Sequence, residues 1–133
     1  ARTMIALGAD HGCPTVALLT AMDRPLGRAC GNALEVEESV LALRGEGPDD
    51  LMAVTYALGA EMLVLGGAYA TRDDAHAAMR AAIADGRAAR AFARIVEAQG
   101  GNPGVVEDPA VLPQAPRTAV WTAPRDGVVQ RVE

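Results

Sequence analysis

Between Asp23 and Glu38 the chain turns, stops and starts again in quick succession, and no other stretch restricts its folding so sharply. Pro25 presets a bend and Gly27 supplies the backbone freedom to close it. Gly31 and Asn32 stop the loop and offer a cap, and the helix that follows opens on acidic residues. Glu35, Glu37 and Glu38 all fall in that opening.

The flanking segments alternate between helical spacing and chain breakers. Residues 1–9 read as a helix with Ile5 and Leu7 toward a core, broken by Gly12 and Pro14. The apolar run Thr15–Met22 suits a strand covered on both faces, as in a parallel sheet, although so short a run is also compatible with a helix. A helix over residues 33–43 is expected, capped by Asn32 and ended by Gly45 and Gly47. Pro48 stands where a first helical residue belongs, with Asp49 and Asp50 in the first turn. Leu51, Val54, Leu58, Met62 and Leu65 then recur at spacings of three and four, forming an apolar stripe. Gly66 and Gly67 stop that helix. Thr71 and Asp74 approximate a capping box for a helix to about Asp85. Gly86 interrupts it, and an Ala- and Arg-rich helix runs to about Gln99. Glycines and prolines crowd the following stretch, so residues 101–117 read as a linker. Beyond it, Thr118–Ala123 and Val128–Val132 flank Pro124-Arg125-Asp126-Gly127, a hairpin signal. The fold expected is α/β: a helix-rich segment of a mixed-sheet α/β domain, ending in a β-hairpin.

At 133 residues the chain has the size of one domain, able to bury a core mostly of Ala, Leu and Val because aromatics are only 3%. A formal net charge of −5 without basic clusters argues against a nucleic-acid surface. No apolar stretch reaches membrane-spanning length, and Cys13 and Cys30 suggest no disulfide framework, which makes a reducing cytoplasm the default. His11 and His76 lack metal-ligand or triad spacing and read as surface residues. Glu61, at the edge of an apolar stripe, needs a salt bridge or hydrogen bond. Asp23 reads as a turn stabiliser, Cys30 as a small filler, and Arg87, Arg90 and Arg94 as a solvated face pairing with acids. The opening residues read as the middle of an amphipathic helix and the closing ones as a strand without a partner. Both ends are expected to be cuts from a longer enzyme.

The stretch Leu19-Thr20-Ala21-Met22-Asp23, Pro25-Leu26-Gly27, Ala29 and Gly31–Val36 resembles the signature loop of the thymidine and pyrimidine nucleoside phosphorylases. The resemblance continues through Ala57–Leu65, through Asp85–Ala89 with Phe92, and through Ala98-Gln99-Gly100-Gly101. Val120–Val129 looks like the opening of the family's C-terminal domain. The whole chain can be laid on roughly the third quarter of such an enzyme. The resemblance implies that residues 1–100 belong to the α/β glycosyltransferase-type domain, 101–117 to a linker and 118–133 to the start of a truncated C-terminal domain.

Such enzymes split thymidine or uridine with inorganic phosphate as co-substrate, releasing the base and a (deoxy)ribose 1-phosphate. The reaction needs amides and cationic groups around phosphate, and hydrogen-bonding partners for the departing base. The family carries its phosphate loop, its histidine and its base-binding Arg/Lys pair upstream, so no catalytic residue is assigned here and the isolated segment is expected to be inactive. One site carries over: a potassium or calcium ion beside the hinge, held by the carbonyls of Leu26 and Ala29 and the side chain of Glu38. Hard oxygen donors suit such a cation. Helical periodicity alone would nominate Glu37, but the resemblance, which places a basic residue at position 37, selects Glu38. The ion would tie this loop to the absent phosphate loop and fix the geometry of domain closure. A homodimer is implied for the parent enzyme. The alternatives are an AMP-type nucleotide phosphorylase or phosphoribosyltransferase relative, and a non-catalytic helical interaction module.

Overall fold

The computed structural model describes residues 1–129, and their regular structure is helical. Helices α1 (Arg2–Asp10), α2 (Asn32–Leu43), α3 (Asp49–Leu65), α4 (Arg72–Ala84) and α5 (Arg87–Ala98) follow in order. Two short 3₁₀ turns, Pro103–Val106 and Pro109–Val111, come after them. Each start has a local cause. Pro48 precedes α3, whose first turn carries Asp49 and Asp50 at the positive end of the helix dipole. Thr71 caps α4: its hydroxyl oxygen accepts from the Asp74 amide at 3.1 Å and the hydroxyl donates to Asp74 Oδ2 at 2.6 Å. Gly86, in the left-handed region at φ 75, turns the chain from α4 into α5. At α2 the cap differs from expectation. Gly31 is the capping residue, Asn32 is already helical, and no side chain caps from that position. The Glu35 carboxylate instead reaches back and accepts from the Gly31 amide at 3.0 Å.

α3 and α4 pack along each other, and α5 lies against α4 and the first 3₁₀ turn, with a lighter contact to α2. Among the described residues Val40, Pro48, Ala60, Ala75, Val105 and Val106 are buried. These are small side chains, so the helices approach closely. A side chain at Gly59 on α3 would collide with Met79 on α4. Val105 and Val106 draw the Gly/Pro-rich stretch onto α5. Glu61 finds the partner it needs in Arg72, whose Nε and Nη2 donate to its two carboxylate oxygens. Its side chain is only 13% exposed.

The mixed sheet and the terminal hairpin are not found. Among the described residues no strand forms, so the α/β expectation is corrected to a helical segment. Thr15–Met22 is neither helix nor strand, and its apolar side chains lie open, Leu19 at 88% and Met22 at 94% exposed. A strand exists only where a neighbour accepts and donates its backbone hydrogen bonds, and none of the described residues pairs with that run. Thr118–Ala123 is likewise irregular, with Val120 and Trp121 exposed. A two-stranded hairpin alone is marginal in water. Of its expected second arm, residues 130–132 lie outside the described residues.

Candidate functional site

The loop between Asp23 and Gly31 is shaped by its glycines and held by carboxylates. Gly27 and Gly31 both adopt positive φ, 75 and 125, conformations that a Cβ disfavours. Gly27 is doubly constrained, because a side chain there would also run into Glu38 Oε2. From this bend, consecutive amides point to carboxylates on different helices. The Gly27 amide donates to Asp50 Oδ2 of α3 at 3.2 Å, and the Arg28 amide donates to Glu38 Oε1 of α2 at 2.8 Å. The Gly31 amide closes the loop on Glu35, as described above.

The Asp50 carboxyl pKa is lowered from its ordinary value of 3.8, first by the Gly27 amide and then by the Leu51 amide, with the Arg24 charge adding to the effect. Hydrogen bonds to the ionised form favour that form. The carboxylate is therefore kept charged as part of the loop's support.

The structure brings Leu26, Ala29 and Glu38 to one cavity of about 340 Å³, which Glu35 and Ser39 also line. Two of the residues lining it, Glu35 and Glu38, are carboxylates and none is cationic. Glu38 directs one oxygen to the Arg28 amide and has a second oxygen beside Gly27. Among the described residues, no three His, Cys, Asp or Glu side chains converge as a metal site of their own. Glu37 lines the adjacent cleft of about 330 Å³ with Arg28, Leu34 and Glu46. It does not line the cavity shared by Leu26, Ala29 and Glu38.

Other sequence candidates sit elsewhere. His11 is exposed. His76 is half-buried against Tyr56, with ring centroids 5.8 Å apart, and the Arg80 guanidinium covers the same tyrosine ring at 5.4 Å. Cys13 and Cys30 are both free and exposed, so Cys30 is not a filler. On the arginine face of α5, Arg87 Nε pairs with Asp85 at 2.8 Å, which lowers the Asp85 pKa together with the Arg87 amide, the larger influence. The loop-holding roles of Asp50 and Glu35 were missed. Glu35, three residues after the expected cap Asn32, had a local signal of the capping-box type. Asp50 had none for its loop partner, because that contact spans 23 residues.

Residues 1–89 match the family described as "Glycosyl transferase family, a/b domain". The chain belongs to that family. It is 39% identical over 132 residues to a pyrimidine-nucleoside phosphorylase of Bacillus subtilis (strain 168), covering 99% of this chain and 30% of that protein. The corresponding protein of Geobacillus stearothermophilus is 38% identical over 132 residues, again 99% of this chain and 30% of the relative. Thymidine phosphorylase of Homo sapiens is 41% identical over 141 residues, 99% of this chain and 29% of its own length. The chain thus spans less than a third of the relatives it matches. Within this glycosyl transferase family member, the resemblance first seen at Pro25–Val36 extends along nearly the whole sequence.

Proposed function

We propose that this chain is a segment of a pyrimidine nucleoside phosphorylase, which splits thymidine or uridine with inorganic phosphate into the free base and (deoxy)ribose 1-phosphate. The observation that carries the reading is the continuous likeness to proteins named for that activity, centred on a loop whose glycines and carboxylates interlock. In this reading the groups that bind phosphate and base stand in the parent protein outside these residues, and the segment alone is inactive. Residues 1–100 belong to the α/β domain of the parent, 101–117 to its boundary and 118–133 to the start of the next domain.

The loop's part is structural and electrostatic. Leu26 and Ala29 would offer carbonyl oxygens and Glu38 a carboxylate to a potassium or calcium ion, which would supply positive charge to pin the loop beside the hinge. The acidic cavity supports that assignment. The parent is read as a cytoplasmic homodimer that takes a nucleoside and phosphate, not nucleic acid or membrane. No described helix is long and apolar enough to cross a membrane.

The test is phosphate-dependent release of base by the full-length protein, with thymidine, uridine and AMP compared side by side. Release of thymine or uracil that requires phosphate is the expected result. Preference for AMP, or no cleavage of any nucleoside, would overturn the proposal.

A further inference from the structure

The bonds that hold the Leu26–Gly31 loop are not equivalent. Glu35 and Glu38 lie on α2, which continues directly from the loop, and their contacts to Gly31 and Arg28 span 4 and 10 residues. They would travel with the loop if α2 moved. The Asp50 contact spans 23 residues and joins the loop to a different helix, α3. Asp50 is also held ready for it. Its Oδ1 accepts from the Leu51 amide at 2.9 Å at the start of α3, which leaves Oδ2 for Gly27. Gly27 and Arg28 are neighbours in sequence, so the two successive peptides that meet at Gly27 link an α3 carboxylate to an α2 carboxylate. Displacing Gly27 would carry the Arg28 amide away from Glu38 and change the surface on which Glu38 Oε2 rests.

We propose that Asp50 is a positioning residue: by tying Gly27 to α3 it holds the Leu26–Gly31 loop, and through it the Glu38 carboxylate, in place. The relevance of this to the cation and to catalysis rests on the phosphorylase reading; the loop geometry does not.

Amide hydrogen exchange on the full-length protein tests it, using Asp50→Ala, which removes both acceptors, and Asp50→Asn, which keeps one. In Asp50→Ala, protection at Gly27 and Arg28 is expected to fall about tenfold or more, while Val40, Ala60 and Ala75 keep theirs. Asp50→Asn gives a smaller loss at the same amides. Acid titration supplies a second readout. In the wild type, Gly27 protection is lost as Asp50 protonates, and in Asp50→Asn that acid-dependent step is absent. Arg24 and Asp23 of the loop, Asp49 of α3, and Glu35 and Glu38 of α2 remain in both proteins, so their effects are common to the comparison. Unchanged exchange at Gly27 in Asp50→Ala, an identical acid profile in Asp50→Asn, or protection lost all along α3 would overturn the proposal. The exchange measurement needs no substrate. A failed phosphorolysis assay would therefore remove the functional reading and leave this result standing.

Discussion

At Gly27 a single hydrogen in place of a side chain satisfies two separate demands. The backbone sits at φ 75, and the space beyond its Cα belongs to Glu38 Oε2. Gly27→Ala is expected to cost about 1–3 kcal/mol from the backbone conformation alone. A lowered urea midpoint for the variant of the full-length protein would register it, and an unchanged midpoint would show that the loop readily relaxes. Acid should act at the same scale. Asp50 and Asp85 both have pKa values below the ordinary 3.8, chiefly through the Gly27 and Arg87 amides respectively. A lowered folded-state value gives stabilisation that is complete above the ordinary value and disappears as pH falls through the lowered one. Melting temperature is therefore expected to hold from neutral pH to about pH 4 and then to decline, with a smaller decline in Asp50→Asn/Asp85→Asn. Both carboxylates are exposed, so the effect is modest. The choice between Glu37 and Glu38 also belongs here. Periodicity nominates the former and the resemblance selects the latter; Glu38 lines the cavity with Leu26 and Ala29, and both glutamates line the adjacent cleft.

The helices themselves were largely legible, because their breakers and caps are local. Pro48, Gly66, Thr71 and Gly86 each act within one turn, and α3, α4 and α5 begin and end close to the expected positions. What periodicity did not show is how closely the helices would meet. The stripe on α3 predicts large contacts at Leu58, Met62 and Leu65, yet these are 45%, 72% and 42% exposed. On α3 and α4 the fully covered positions are alanines, Ala60 at 1% and Ala75 at 0%. Small residues at a close helix crossing leave no room for growth. Ala75→Leu is expected to destabilise by about 1–3 kcal/mol through overpacking, measured by chemical denaturation. A neutral result would mean that α3 and α4 can separate without loss.

Considered as one body, the chain exposes more than its size requires. Its accessible surface is 10462 Å², against about 6,600 Å² expected for a compact monomer of this mass. The sequence had suggested an adequate core. The excess has an apolar share that water does not favour: Leu19, Met22, Val120 and Trp121 are all more than four-fifths exposed. Expressed alone, the 133-residue polypeptide is expected to bind a hydrophobic dye such as ANS and to form heterogeneous aggregates in size-exclusion chromatography, whereas the full-length protein stays dye-silent and runs as one defined species. A monomeric, dye-silent segment would contradict this.

Local chemistry was enough to place the helices and the bend at Pro25–Gly27, because glycine, proline and capping side chains act on their immediate neighbours, while the likeness to a phosphorylase loop rested on the motif's resemblance to a known family. Tertiary structure alone decided that Thr15–Met22 stays irregular and that Asp50 reaches across to Gly27. Each of these depends on what another part of the chain places, or does not place, within hydrogen-bonding or contact distance. No periodicity along a single segment carries that information.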